Sequence, residues 1–259
     1  HYAKVISFAL HLQTIMQTTA TINHITNWLL EYAKKSPTKG FVIGISGGID
    51  SAVTSTLCAL TGKNVIVLNM PILQLSSQYQ RSNEHIEWLK VKFKNVTSFN
   101  VDLTSSFEQI SVDLSNNIQD HLTMANVRAR LRMTTLYAYA GHYGYLVAGT
   151  GNKVEDFGVG FFTKYGDGGV DISPIADCTK TEVWELGKEL KVLEEIIKAQ
   201  PTDGLWDDGR TDLNQLGLTY EEVEEAMSNP NSKNRSKYEE IRKINLHKME
   251  SIPVCKIPK

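Results

Sequence analysis

A short polar turn between an apolar run and a helix-compatible segment is the feature of this sequence that most limits its fold. Residues 40–51 read GFVIGISGGIDS, so the apolar run stops at Ser46, two glycines follow, and Ser51 begins the next segment. Two glycines let backbone N–H groups converge on an anion, and a helix N-terminus adds positive potential. This order predicts a strand, a phosphate-binding loop and a helix, in which Asp50 is interpreted as a magnesium ligand.

The chain then alternates predicted strands and helices. Apolar runs and helical spacing predict strands at residues 41–46, 65–70, 97–101 and 145–149, and helices at residues 21–35, 51–60, 78–93, 104–117 and 124–143. This order predicts an α/β fold with an open parallel sheet and helices on both faces. In such folds the ligand binds beyond the carboxyl ends of the strands.

The last third of the chain differs in pattern. Residues 149–177 are rich in glycine and charge and lack periodicity, which is typical of a long functional loop. From about residue 174, prolines divide the chain, and helices are predicted at residues 179–190, 219–227 and 234–248. We interpret residues 1–259 as a single domain with an irregular helical C-terminal part.

Composition and charge exclude several partners. A net charge of −2 over 259 residues gives no electrostatic case for nucleic acid binding. No apolar run reaches the roughly 18 residues of a membrane span. The 3 cysteines are far apart and suggest neither a disulfide framework nor a CxxC metal site. A cytoplasmic protein is therefore expected.

The polar turn matches neither GxxxxGK[ST] nor GxGxxG. It resembles the SGGxDS loop of the ATP pyrophosphatases, which split ATP between the α and β phosphates; the alternative is an ordinary turn in which Asp50 caps the helix. The further motifs GTGNKVED, GFFTKYGDGGVD, PIADCTKTEVW and PTDGLW, together with NVRARLRM, are similar to those of the NAD synthetases. That resemblance extends from about residue 40 almost to the C-terminus.

The resemblance implies roles for individual residues. It assigns ATP binding to Gly44, Ile45, Ser46, Gly47, Gly48, Ile49, Asp50, Ser51, Thr150, Lys180 and Thr202. It assigns Mg²⁺ to Asp50 and Glu155, and deamido-NAD to Arg130, Lys164, Asp171, His247 and Lys248. Magnesium on Asp50 and Glu155, together with Lys180, would offset the charge of two polyanions, and Asp167 is our hypothesis for the group that takes a proton from ammonium.

The implied reaction is ATP-dependent amidation of deamido-NAD to NAD through an adenylated carboxylate, releasing AMP and diphosphate. About forty residues precede the loop, too few for a glutaminase domain, so ammonia is the expected nitrogen donor. The resemblance also implies a homodimer formed through residues 104–143. Where relatives often carry an arginine before Pro71, this chain has Asn69-Met70, and Arg81 is the alternative cation. Two other readings stay open: a different pyrophosphate-loop amidating or thiolating ligase, and a non-catalytic nucleotide-binding protein.

Overall fold

Four parallel strands form the centre of the chain. The computed structural model describes residues 2–200 and 216–258, with side chains from residue 17 onward. The strands are β1 (Gly40–Gly44), β2 (Asn64–Asn69), β3 (Val96–Asn100) and β4 (Leu146–Val147), in the spatial order β3-β2-β1-β4. The predicted open parallel sheet is confirmed. Because β1 lies between β2 and β4, the strand order reverses beside β1, where α/β folds bind ligands.

Helices surround the sheet. They are α1 (Tyr2–Lys35), α2 (Ile49–Leu60), α3 (Ser76–Lys92), α4 (Thr104–Asp113), α5 (His121–Tyr143), α6 (Lys180–Glu189), α7 (Glu194–Ile197), α8 (Tyr220–Ser228) and α9 (Arg235–Met249). The helix predicted at residues 21–35 starts much earlier, at Tyr2. Residues 2–20 contain neither glycine nor proline, so nothing in the local sequence interrupts the helix.

The structure differs from the sequence predictions in three other places. The helix predicted at residues 104–117 ends at Asp113, and a separate 3₁₀ turn covers Asn116–Ile118, since serine and asparagine side chains compete for the backbone there. Only Leu146–Val147 of the predicted strand 145–149 pairs with β1. The loop predicted at residues 149–177 contains a π-helix at Lys153–Val159. Such wide turns are rare and frequently occur at functional sites.

The sheet is apolar on both faces. Alternate residues of β1 point to opposite sides: Phe41 and Ile43 join a cluster with α1, α2 and α6, whereas Val42 joins a cluster with α4 and α5. All three side chains have no exposed surface. This two-sided burial is typical of a parallel sheet covered by helices, and it holds the ends of β1 and β4 in fixed positions.

A third apolar cluster lies outside the sheet. It joins Val154 and Val159 of the π-helix to residues of the C-terminal helices, among them Leu218, Tyr220 and Val223. The C-terminal helices therefore share a core with the segment that follows β4. The single-domain interpretation stays a prediction. Within residues 2–200 and 216–258, no helix combines the length and apolar character needed to cross a membrane.

Candidate active site

The turn between β1 and α2 lies at the carboxyl edge of the sheet. Gly47 has a φ of 81°, and a Cβ there would lie 2.8 Å from the carbonyl oxygen of Gln78, so this position requires glycine. The Gly48 N–H donates to the Ser46 hydroxyl at 3.2 Å, and that hydroxyl lies 3.1 Å from the Ser51 hydroxyl. Gly48 is the N-cap of α2 and has no side chain to cap it, so the first N–H groups of α2 are available to an anion.

One buried lysine connects two carboxylates beside this loop. The Lys180 ammonium donates to Oδ2 of Asp50 at 2.6 Å and to Oε1 of Glu155 at 2.8 Å. Its side chain is 3% exposed, and the two carboxylate side chains are each 17% exposed. Asp50 lies in the first turn of α2, Glu155 lies in the π-helix and Lys180 begins α6. The fold therefore brings together three residues that are far apart in sequence.

Asn152 fixes the geometry of this group. It is the N-cap of the π-helix, and its side-chain oxygen accepts the N–H groups of Val154 and Glu155 at 3.0 and 3.1 Å. Its side-chain amide donates to Oδ1 of Asp50 at 3.0 Å. One fully buried side chain thus starts the turn that carries Glu155 and orients Asp50.

The two carboxylates differ in their proton affinity. Burial raises the pKa of Asp50, and the attraction of Lys180 offsets this only in part. Burial also favours the protonated form of Glu155, but the Lys180 charge and the hydrogen bonds from Lys180 and Tyr220 outweigh it, so the pKa of Glu155 is lowered. The pKa of Lys180 is raised because the two carboxylates outweigh its burial. Glu155 and Lys180 are therefore charged at neutral pH.

A further carboxylate, Asp156, lies at the same place. Burial first, and then repulsion from Glu155, Asp167 and Asp50, raises its pKa well above the usual range. The site therefore has more acidic groups than its one buried lysine can neutralise, which favours a cation. Carboxylate oxygens suit Mg²⁺. In the described part of the chain, no three acidic, histidine or cysteine side chains converge as a complete metal site, so phosphate oxygens or water would complete the coordination.

The described ATP-binding candidates line two adjoining spaces. A cavity of about 210 Å³ is lined by Gly44, Ile45, Ser46, Asp50, Ser51, Thr150, Glu155, Asp167 and Lys180. A smaller recess of about 60 Å³ is lined by Gly47, Gly48 and Ile49 together with Arg81. The Arg81 Nε donates to the carbonyl oxygen of Gly47 at 3.3 Å, so this arginine reaches the loop. The remaining candidate, Thr202, lies outside the described residues.

Three of the five substrate-binding candidates are connected through backbone carbonyl oxygens. Arg130 donates to the carbonyl oxygen of Lys164 at 3.3 Å, and the Lys164 ammonium donates to the carbonyl oxygen of His247 at 2.9 Å. Lys248 donates to the carbonyl oxygens of residues 160 and 162. Asp171 lies apart from them and accepts hydrogen bonds from the Tyr137 hydroxyl and the N–H of residue 147. None of the five lines the 210 Å³ cavity, and their role stays a prediction.

Sequence reasoning missed three residues of the site. Asn152 and Asp156 both lie within the GTGNKVED motif, and an asparagine before a helical turn is a recognised N-cap signal. No sequence pattern marked Asp156 as a site residue, because its burial depends on the π-helix. None marked Tyr220 either: its hydroxyl donates to Oε1 of Glu155 at 2.5 Å across 65 residues of sequence.

Comparison with known proteins matches this chain to one family. The NAD synthase family model matches residues 21–258. The NH(3)-dependent NAD(+) synthetase of Mycoplasma genitalium is 40% identical over 80% of this chain and 82% of the relative.

Two solved structures share the fold. The NMN synthetase of Francisella tularensis has a TM-score of 0.86 and 32% identity, covering 93% of this chain and 99% of that one. The NH3-dependent NAD synthetase of Campylobacter jejuni has a TM-score of 0.75 and 25% identity, covering 92% and 99%. The turn between β1 and α2, the paired carboxylates and their lysine thus lie in a chain that belongs to the NAD synthase family.

Proposed function

We propose that this chain amidates deamido-NAD to NAD with ammonia, using ATP and releasing AMP and diphosphate. The observation that carries the proposal is the buried group of Asp50, Glu155 and Lys180 beside an uncapped helix start. Relatives about 40% identical are named NH(3)-dependent NAD(+) synthetases, which supports ammonia as the nitrogen donor.

The charges explain why these residues are needed. The nicotinate carboxylate of deamido-NAD is a poor acyl donor and must first be activated. Its oxygen attacks the α-phosphorus of ATP, the bond between the α-phosphorus and the bridging oxygen breaks, and diphosphate leaves. The turn after β1 would hold the departing phosphates through its N–H groups and the Ser46 and Ser51 hydroxyls. A Mg²⁺ held by Asp50 and Glu155 would supply positive charge to the phosphate oxygens. Ammonia then attacks the acyl carbon, AMP leaves, and the amide forms.

Asp167 is proposed to take the proton from ammonium. It lines the cavity, and its Oδ1 accepts the Thr163 N–H at 2.9 Å. Asp167→Asn keeps an oxygen for that bond but lacks a basic carboxylate, so turnover with ammonium should fall by at least about a hundredfold. Full turnover by Asp167→Asn at every pH tested would refute this role.

A second candidate substrate is nicotinic acid mononucleotide. The Francisella tularensis structure, whose name is NMN synthetase, has a higher TM-score and identity to this chain than the Campylobacter jejuni enzyme. Amidation of nicotinic acid mononucleotide would use the same turn and carboxylates. Parallel assays with deamido-NAD and with the mononucleotide decide between them, since the products NAD and NMN are separable.

The main test of the proposed reaction is whether AMP and NAD form together. Incubation with ATP, magnesium, deamido-NAD and ammonium should give AMP and NAD in equal amounts and no ADP. A different pyrophosphate-loop ligase would form AMP only when its own acceptor was supplied in place of deamido-NAD, and a non-catalytic nucleotide-binding protein would form no AMP with any acceptor. Asp50→Asn is the control, because it removes the charge that binds Lys180 at 2.6 Å while leaving the turn intact.

A homodimer through α4 and α5 is part of the proposal. Val112 is 78% exposed, and Leu122 at the start of α5 is 60% exposed, which suits a contact between copies. Light scattering should give twice the chain mass for the wild type, and Leu122→Lys should shift the chain towards the monomer. A cytoplasmic location also stays a proposal, supported by the exposed thiol of Cys255.

A further inference from the structure

One hydroxyl connects the C-terminal helices to the candidate cation site. Tyr220 is the first residue of α8, is 8% exposed, and donates its hydroxyl to Oε1 of Glu155 at 2.5 Å. Lys180 donates to the same oxygen. Lys180 and Tyr220 therefore approach the Glu155 carboxylate at Oε1 from different elements, α6 and α8. Two donors on one oxygen fix the orientation of the carboxylate.

The ring of Tyr220 is held in place independently of this bond. Its centroid lies 6.0 Å from that of Trp184 in an edge-to-face arrangement, and 4.9 Å from the Lys180 ammonium. Thr219 caps the helix, accepting the Glu222 N–H while the Glu222 carboxylate accepts the Thr219 N–H. The hydroxyl is thus presented to Glu155 from a rigid helix start.

The C-terminal helix α9 holds the other end of the same segment. Arg242 donates to the carbonyl oxygen of Gly158 at 2.8 Å, and Asn245 donates to that of Val159 at 3.0 Å. These carbonyls end the π-helix that carries Glu155. The position of Glu155 therefore depends on contacts from α8 and α9 as well as on the sheet.

We propose that Tyr220 is a positioning residue that orients Glu155 for a divalent cation and so sets the affinity for the cation. The inference rests on the proposed function only in taking Asp50 and Glu155 as the cation ligands. Hydrogen bonds to ligating carboxylates are worth about 10–100-fold in metal affinity in other proteins.

The test compares wild type, Tyr220→Phe and Tyr238→Phe in the full chain. Tyr220→Phe keeps the ring and removes only the hydroxyl. Tyr238 is the matched control, because it is a buried tyrosine of the same apolar cluster, packed against Arg235. Electron paramagnetic resonance measures Mn²⁺ binding in the presence of a non-hydrolysable ATP analogue, and steady-state assays give KM for Mg²⁺ and kcat.

Tyr220→Phe should bind Mn²⁺ about tenfold more weakly and raise KM for Mg²⁺ by a similar factor. Its kcat at saturating Mg²⁺ should stay within about twofold of wild type, because the lost bond acts through cation binding. Tyr238→Phe should match wild type in all three, and both variants should unfold within a few degrees of wild type.

Any of four results would overturn the proposal: wild-type Mn²⁺ affinity in Tyr220→Phe, an equal loss in Tyr238→Phe, a fall in kcat alone, or failure of the wild type to bind Mn²⁺. Failure of the wild type to form AMP and NAD would instead refute the proposed function, while the Mn²⁺ comparison would still decide the role of Tyr220.

Discussion

Replacing Lys180 by methionine tests the electrostatics of the site most directly. The positive charge of Lys180 offsets part of the charge of two largely buried carboxylates, and their oxygens lie within two hydrogen-bond lengths of each other. At about 5 Å and an effective dielectric constant of about 20, two like charges repel by about 3 kcal/mol. The repulsion can also be relieved by protonating one of the two carboxylates, which costs about 4 kcal/mol at pH 7 and so sets an upper limit on the loss of stability. Lys180→Met should therefore lower the free energy of unfolding by about 3–4 kcal/mol in metal-free buffer.

Urea denaturation with and without magnesium measures this loss. Magnesium should restore more stability to Lys180→Met than to wild type, because the cation replaces the missing charge. Lys188→Met on the same helix is the control, since the pair of Lys188 with Glu185 is exposed and worth at most about 1 kcal/mol. Equal stability of the two variants in metal-free buffer, or equal gains with magnesium in variant and wild type, would refute the reasoning.

Three further changes have defined outcomes. Burial lowers the pKa of His85 from 6.5 to about 4, so between these pH values the unfolded chain binds a proton that the folded chain does not. The free energy of unfolding, measured by urea denaturation, should therefore fall by about 3 kcal/mol as the pH drops through this range, and by less in His85→Gln. Gly47→Ala should lower both stability and ATP affinity, measured calorimetrically. Gly62 is the control, because it has a φ of 72° and a Cβ added there would have no atom within 4 Å, so Gly62→Ala should show only the backbone cost of about 1–2 kcal/mol. Thr179→Ala and Thr219→Ala each remove a helix N-cap and should each lower the free energy of unfolding by about 1 kcal/mol.

The sheet and the first half of the site could be predicted because their signals are local. An apolar run that ends on serine and glycine predicts the turn after β1, and a parallel sheet brings the ends of β1 and β4 to one edge. Asp50 and Thr150 lie in the segments that follow those two strands, so their convergence follows from the order of the elements. Lys180 was found only through resemblance, since its distance along the chain from Asp50 gives no signal of contact.

The rest depends on contacts that the local sequence does not specify. A π-helix turns more widely than an α-helix, so spacing rules assign the wrong face to its residues. In the observed turn Glu155 faces Lys180 while Asp156 also lies on the cavity, a combination that neither helical nor extended periodicity predicts. That turn exists because Asn152 caps its start and α9 binds its last carbonyls.

Tyr220 shows the same limit over a longer distance. Its helix start, Thr219-Tyr220-Glu221-Glu222, predicts a capped helix, and the structure has one. What no local rule provides is the packing of that helix against Val154, which places the hydroxyl on Glu155. Asp50 and Glu155 thus lie in the segments after β1 and β4, but the C-terminal helices orient Glu155, one of the two carboxylates proposed to bind a cation. Substitutions in α8 that leave the sheet unchanged should therefore still alter cation affinity.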